Sequence, residues 1–227
     1  MKTLYDVPAP AKINLFLHIT GRRSDGYHLL QSALALLDWC DTLHFERRSD
    51  GVISREDLGT PLPQDDLTVQ AARALQQATG TRHGVHIGVE KSIPSQAGMG
   101  GGSSDAASCL LALNRLWNLK LPLGQLMETG LRLGADVPFF LGGRNAWVEG
   151  IGEKITPLQL DRGTFLVVKP PDGLPTQMIF SDPDLKRNTG MAIIAGFAAN
   201  PRDFGRNDMQ AVALKHCAGV SQALGWL

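Results

Sequence analysis

The chain has 227 residues, of which 43% are hydrophobic and 19% charged, a balance that fits one large domain or two modest ones. Lys plus Arg and Asp plus Glu both total 22, so the formal net charge is zero, which argues against binding nucleic acid or an anionic membrane over the whole surface. The N-terminus lacks the apolar stretch of a signal peptide, and no apolar run approaches the ~18 residues of a membrane span. We therefore expect a cytoplasmic protein with no nucleic-acid or membrane partner.

The three cysteines lie far apart in the sequence and form no C-x-x-C pair. This spacing argues against a disulfide framework or a structural zinc site. Cys109 lies in an apolar helical run and is predicted to be a buried small hydrophobe.

The N-terminal region has the pattern of two strands joined by a turn. Residues 11–19 place Ile13 and every second residue after it on one face, which predicts a strand. A polar, glycine-bounded turn follows over residues 21–26, and residues 29–37 form another extended run.

The next elements are bounded by recognisable helix signals. Asp65 and Asp66 precede a helical pattern that ends at Gly80, a plausible C-cap. Residues 85–89 predict a strand, and a glycine-rich loop then leads into a helix over about residues 103–114.

The second half of the chain is predicted to begin with a helix that follows Pro122 and runs to about Leu133. Residues 145–150 and 165–169 have strand patterns. The weakly patterned stretch between Gly152 and Gly163 is the candidate boundary between an N-terminal domain, 1–152, and a C-terminal domain, 153–227.

Helices and strands are mixed without strict βαβ alternation, which predicts an α+β fold with a largely antiparallel, mixed sheet packed against helices. At the end of the chain, a helical spacing through Val220, Ala223, Leu224 and Leu227 continues to the last residue without a stop signal. We therefore expect the chain to be a fragment, with its C-terminal domain partial.

The segment PSQAGMGGGSSDAA, residues 94–107, joins a predicted strand to a predicted helix. Its glycines leave backbone N–H groups open and permit positive φ, so several N–H groups can converge on one anion. The helix that follows adds its own N-terminal N–H groups and dipole. The alternative is a flexible turn before a capped helix, but a mere turn rarely needs four glycines. The segment therefore predicts a phosphate-binding loop.

Two better-known phosphate loops do not fit this segment. A Walker A loop would need Gly-Lys-Ser/Thr, which does not follow here. A dinucleotide-binding fingerprint would need a third glycine where Ser103 stands.

The loop resembles the second motif of GHMP kinases, in the triple-glycine form of the diphosphocytidyl-methylerythritol kinases. Further segments are similar to the same family: PAKINL at 10–15, GYH at 26–28, GADVPFF at 134–140 and PTQMIF at 175–180. In this order the matches cover residues 10–180. The resemblance implies a two-domain GHMP kinase fold with its active site in the cleft between the domains.

The resemblance implies that Asp136 is the catalytic base and that Lys12 is its cationic partner. An adjacent ammonium keeps a carboxylate ionised and stabilises charge on the transferring group. Without the motifs, the favoured interpretation is a turn or cap residue for Asp136 and a solvated lysine at a strand end for Lys12. The resemblance also implies ATP and Mg²⁺ as cofactors, held by Pro94, Gly98, Met99, Gly100, Gly101, Gly102, Ser103 and Ser104.

On the substrate side, the resemblance implies that Tyr27 and Phe180 sandwich a cytosine ring while His28 hydrogen-bonds its edge. It further implies that Thr176 and Asn14 contact the rest of a cytidine-diphosphate-linked methylerythritol. Core packing is the alternative for Phe180, and an ordinary polar face position is the alternative for Asn14. We expect a monomer or weak homodimer, and the sequence leaves the metal ligands open.

The chain departs from the family at two places. Asp66 stands where the family usually has Asn near the adenine, so an adenine contact there lacks an amide donor. The family's third glycine-rich motif does not occur in the sequence. The alternatives that stay open are another GHMP member, such as mevalonate or homoserine kinase or diphosphomevalonate decarboxylase, and a non-catalytic nucleotide-binding relative.

Overall fold

The structure is a computed structural model that describes residues 1–201 and 203–226. Its strands are β1 (Thr3–Arg22), β2 (His28–Arg48), β3 (Ile53–Asp57), β4 (Gly84–Glu90), β5 (Ala146–Gly150) and β6 (Lys154–Pro157). Its helices are α1 (Leu67–Thr79), α2 (Gly101–Leu116), α3 (Leu123–Leu133), α4 (Val137–Gly142), α5 (Thr176–Ser181), α6 (Ile194–Ala199), α7 (Gln210–His216) and α8 (Ala218–Trp226). In the part of the chain so described, no helix is long and apolar enough to cross a membrane.

The chain divides into two compact units by its internal contacts. The first unit comprises residues 1–12, 36–94 and 100–143, and the second comprises residues 13–35, 95–99 and 144–227. Both β1 and β2, which pair with each other, contribute residues to each unit. The domain boundary expected near residue 152 stays a prediction.

In the first unit, the C-terminal half of β2 pairs antiparallel with β4, in a register that places Phe45 opposite Ile87. Strand β4 also pairs in parallel with β3. Helices α1 and α2 pack against each other, and the fully buried side chains include Leu75, Leu110 and Leu113. Burial of this apolar area is the main force that holds these layers together.

In the second unit, the N-terminal half of β2 pairs antiparallel with β5, and β5 pairs antiparallel with β6. The successive residues Phe16 and Leu17 of β1 enter different clusters, as the two faces of a strand predict, whereas Leu15 packs against the cluster of Phe16. Leu17 and Ile19 join one core cluster, whereas Phe16 packs with Trp147 and Phe197 in another.

Most of the predicted elements are present. The strand at 11–19 is part of β1, the run at 29–37 is part of β2, and the strands at 85–89 and 145–150 correspond to β4 and β5. The helix before Gly80 is α1, and Gly80 adopts φ 64°, the left-handed conformation of a C-cap glycine. Cys109 is fully buried, as predicted. The α+β class is therefore confirmed.

The strand predicted at 165–169 is wrong, because these residues form no regular element. Their side chains explain the failure: Phe165, Val167 and Val168 are 38–45% exposed and Leu166 is 70% exposed. An apolar β-branched run becomes a strand only where a half-buried sheet surface receives it. Strands β3 and β6 and the short helices α4, α5, α6 and α7 were not predicted from the sequence. The helix predicted at the C-terminus is present as α8, and Leu227, which that pattern included, lies outside the described residues.

Candidate active site

Lys12 and Asp136 lie together in the first unit. Their Nζ and Oδ2 atoms are 3.7 Å apart, and the side chain of Lys12 is 7% exposed while that of Asp136 is 40% exposed. Asp136 is the residue before α4, yet among the described residues no backbone N–H is capped by its carboxylate. The carboxylate is therefore available beside a buried ammonium rather than committed to a helix cap.

Gly100 fits closely against this pair. It adopts φ 71°, and a Cβ there would lie 2.9 Å from the ring of Phe140 and 3.3 Å from Cε of Lys12. A side chain at position 100 would therefore displace the lysine or the ring. From the sequence, Gly100 is predicted to belong to the loop, whereas Phe140 appears only as a member of the motif at 134–140, with no role assigned to its ring.

The glycine-rich loop has the expected positive φ over part of its length, but the helix after it begins earlier than the expected Ser103, so Gly101 and Gly102 lie in the first turn of α2. Gln96, Gly98 and Gly100 all have positive φ, and α2 begins directly after Gly100. Ser104 donates its backbone N–H to the Gly100 carbonyl in the first helical turn, at 2.9 Å. The hydroxyl of Ser104 is buried and has no hydrogen-bond partner among the described residues. An orphaned hydroxyl beside a helix N-terminus suits an anionic ligand that brings its own acceptors.

A buried ion-pair network that the sequence analysis missed lies under the first turn of α2. Lys91 Nζ bonds the carboxylates of Asp41 and Asp105, the latter at 2.5 Å. Asp41 also accepts hydrogen bonds from the backbone of Ser92 and Ile93, at 2.6 and 2.8 Å. One ammonium thus faces two buried carboxylates, and burial raises the pKa of Asp105 to about 7 although Lys91 opposes the shift.

This raised pKa leads to a prediction for Asp105→Asn. The folded chain holds a proton on Asp105 between its unfolded pKa near 4 and about 7, so the stability of the native protein falls as pH rises through that window. Asparagine cannot ionise, so the free energy of unfolding of the variant lacks this pH dependence. We expect it to rise by roughly 2 kcal/mol relative to that of the native protein between pH 5 and pH 8.

Urea denaturation at pH 5, 6, 7 and 8 measures this difference. Asp41→Asn is the matched variant and should be destabilised at every pH, because Asp41 accepts two backbone N–H groups as well as Lys91. A stability difference between the native chain and Asp105→Asn that does not change with pH contradicts the prediction.

Asp66 is engaged as a helix cap. Its Oδ1 accepts from the backbone N–H of Val69 at 3.2 Å and from Thr68 Oγ1 at 2.7 Å, and it pairs with Arg55 Nη1 at 2.6 Å. The expected carboxylate at the start of α1 is confirmed. The adenine contact of Asp66 stays a prediction.

On the substrate side, the structure brings His28 and Phe180 together in the second unit. Their rings are stacked, with centroids 4.8 Å apart and an interplanar angle of 22°. Tyr27 lies in the preceding turn with 60% of its surface exposed. The structure therefore places His28 against the ring of Phe180. The cytosine contacts expected of Tyr27, His28 and Phe180 stay predictions.

The other two predicted substrate residues lie elsewhere in that unit. Asn14 donates from Nδ2 to Ser32 Oγ at 2.8 Å, and Ser32 in turn donates to the Phe16 carbonyl at 2.5 Å. Thr176 is exposed and is the first residue of α5, after Pro175. Their substrate contacts stay predictions.

Comparisons with known proteins identify the family. The family described as "GHMP kinases N terminal domain" matches residues 66–144. The 4-diphosphocytidyl-2-C-methyl-D-erythritol kinase of Albidiferax ferrireducens is 70% identical over all of this chain and 79% of its own length. The chain belongs to the 4-diphosphocytidyl-2-C-methyl-D-erythritol kinase family.

Other relatives agree with this assignment. The enzyme of the same name from Variovorax paradoxus is 63% identical over all of this chain and 82% of its own length. A solved structure described as a 4-(cytidine 5'-diphospho)-2C-methyl-D-erythritol kinase superimposes with a TM-score of 0.77 at 34% identity, covering 96% of this chain and 80% of that one. The GHMP kinase fold and the family expected from the motifs are therefore confirmed.

Proposed function

We propose that this chain uses ATP to phosphorylate the 2-hydroxyl of 4-diphosphocytidyl-2-C-methyl-D-erythritol, a step in the non-mevalonate route to isoprenoid precursors. The Lys12–Asp136 pair beside Gly100 is the observation that carries the chemistry. The printed names of relatives at 63–70% identity supply the substrate. We further propose that the protein acts in the cytoplasm as a monomer or weak homodimer.

In this proposal Asp136 accepts the proton of the substrate hydroxyl as that oxygen attacks the terminal phosphorus of ATP, and the bond from that phosphorus to the bridging oxygen breaks so that ADP leaves. Its half-exposed carboxylate can reach a bound ligand, while the buried ammonium of Lys12 stabilises the charge of the transferring group. Phosphoryl transfer requires positioning and charge neutralisation more than covalent catalysis by the protein. The carboxylate of Asp136 and the ammonium of Lys12 are therefore sufficient side chains for the chemical step.

The loop at residues 94–104 is proposed to hold the phosphates of ATP through its backbone N–H groups and the N-terminus of α2. Within the described residues there is no cluster of three or more His, Cys, Asp or Glu side chains able to hold a metal ion. Mg²⁺ keeps several waters and binds mainly through nucleotide phosphates, so it needs few protein ligands. The orphaned hydroxyl of Ser104 is proposed as one such ligand. When bound, the ion neutralises phosphate charge.

ADP production with ATP, magnesium and diphosphocytidyl-methylerythritol tests the proposal, with mevalonate and homoserine as control acceptors. We expect turnover with the cytidine substrate alone. Turnover with a control acceptor instead would assign a different GHMP reaction. Binding of ATP without turnover of any acceptor would identify a non-catalytic nucleotide-binding relative and overturn the proposal.

A further inference from the structure

Arg187 is a charged residue that the motifs do not include, and it hydrogen-bonds both residues of the His28–Phe180 stack. Its Nε donates to His28 Nε2 at 3.0 Å. The rest of its guanidinium group donates to backbone carbonyls: Nη1 to Leu185 at 2.9 Å, and Nη2 to Phe180 at 3.0 Å and Asp182 at 2.8 Å. One planar cation thus ties the imidazole to the backbone that carries the partner ring.

This hydrogen bond fixes which nitrogen of His28 carries the proton. Arginine has only donors, so His28 Nε2 must accept and cannot hold a hydrogen. A neutral imidazole then carries its proton on Nδ1 and presents an N–H donor there. Burial lowers the pKa of His28, and the positive charges of Arg187 and Arg22 lower it further, so the ring stays neutral at physiological pH.

The segment that holds Arg187 is itself braced from the other side. The buried carboxylate of Asp182 is bonded by His216 Nε2 at 2.5 Å and by Lys215 Nζ at 3.2 Å, both on α7. Because the backbone carbonyl of Asp182 also accepts from Arg187, the guanidinium is held in place by a second element. Because the guanidinium of Arg187 is already held in place, it can orient His28 without a large loss of side-chain entropy when a ligand binds.

We propose that Arg187 is a positioning residue for nucleobase recognition, which holds His28 as an Nδ1–H donor stacked on Phe180. This inference rests on the proposed function, since it assumes that a cytosine ring binds beside His28. The Watson–Crick edge of cytosine offers the acceptor N3, whereas uracil has an N–H donor at that position. A fixed donor at Nδ1 therefore favours cytosine over uracil.

The test compares the native chain with Arg187→Lys, which keeps the positive charge but loses the planar fork of donors. We expect the KM for diphosphocytidyl-methylerythritol to rise about tenfold with the KM for ATP unchanged. The preference for CDP over UDP, measured by calorimetric binding, should fall by a similar factor. Arg206→Lys is the matched control, because Arg206 pairs with Asp208 and Thr189 in the same unit.

Two further measurements separate positioning from a merely structural role. Imidazole ¹⁵N NMR should show His28 protonated at Nδ1 in the native chain and a mixture of tautomers in Arg187→Lys. In a double-mutant cycle, Arg187→Lys should have little further effect on the KM once His28 is replaced by alanine. An Nε2-protonated His28 in the native chain, or equal losses of CDP and UDP affinity, overturns the proposal.

Failure of the proposed function gives a different result. If the chain phosphorylates another acceptor, the NMR result for His28 still reports on the Arg187 contact, and CDP fails to bind the native chain at all. Native turnover of the cytidine substrate together with an unchanged KM in Arg187→Lys sinks this inference alone.

Discussion

Replacement of Asp136 by asparagine is expected to lower kcat by about 10²–10⁴-fold, because the amide keeps the shape of the carboxylate but cannot accept the proton of the acceptor hydroxyl. The side chain is 40% exposed and lies 3.7 Å from Lys12 Nζ, so its loss leaves the core intact. Steady-state ADP production measures the effect. Urea denaturation of the same samples should show a change in the free energy of unfolding of only about 1 kcal/mol or less.

Asp50→Asn provides the matched control. Asp50 is an exposed carboxylate in the same unit that pairs with Arg48 and belongs to none of the motifs. Its replacement should leave kcat within about twofold of the native value. If Asp136→Asn is as active as this control, Asp136 is not the base.

Gly100→Ala is the second change expected to have a large effect. The residue adopts φ 71°, which costs an L-amino acid about 1–2 kcal/mol, and its Cβ would meet the Phe140 ring at 2.9 Å. Relief of that contact costs a further 1–3 kcal/mol, about the figure for overpacking a core, and moves Lys12, whose Cε lies 3.3 Å away. We expect kcat/KM to fall about tenfold to a hundredfold.

Gly143→Ala separates the two contributions. Gly143 follows α4 with φ 62°, so alanine meets the same backbone strain, but nothing lies within 4 Å of its Cβ among the described residues. In urea denaturation, the free energy of unfolding of this variant should fall by only the ~1–2 kcal/mol that a positive φ costs alanine, and its activity should be unchanged. If the two variants have the same kcat/KM and the same free energy of unfolding, the close approach of Gly100 to Phe140 and Lys12 affects neither activity nor stability.

The parts of the fold that the sequence predicts correctly are those set by neighbouring residues. Asp66 and Gly80 bound α1 because a cap acts within one turn of the helix. The alternation of β1 follows from a period of two, whatever surrounds the strand. The run at 165–169 shows the limit of such reasoning, since its apolar pattern indicates a strand only if another part of the chain covers it.

In the candidate site, too, the features that lie in one continuous segment are predictable from the sequence, and those that depend on tertiary contacts are not. The glycine-rich loop is one continuous segment, so composition and motif order reveal it. The contacts of Arg187 and Lys91 are tertiary: Arg187 reaches back 159 positions to His28, and Lys91 reaches back 50 to Asp41. No local pattern marks such a residue, because its partners become neighbours only after the strands have paired. A lone arginine before Asn188-Thr189 gives no signal of its own in one sequence.

The exposed run Phe165–Val168 has a bearing on how the protein behaves when it is warmed or concentrated. With Thr164 before them, these residues form five consecutive positions that are free of proline and charge and mostly of high β-propensity, the shortest window that promotes cross-β association between molecules. Molecules that unfold on heating would then be removed into precipitate faster than they refold. The apparent unfolding temperature is then set by the rate of unfolding and aggregation, so it depends on heating speed and protein concentration and is not an equilibrium property.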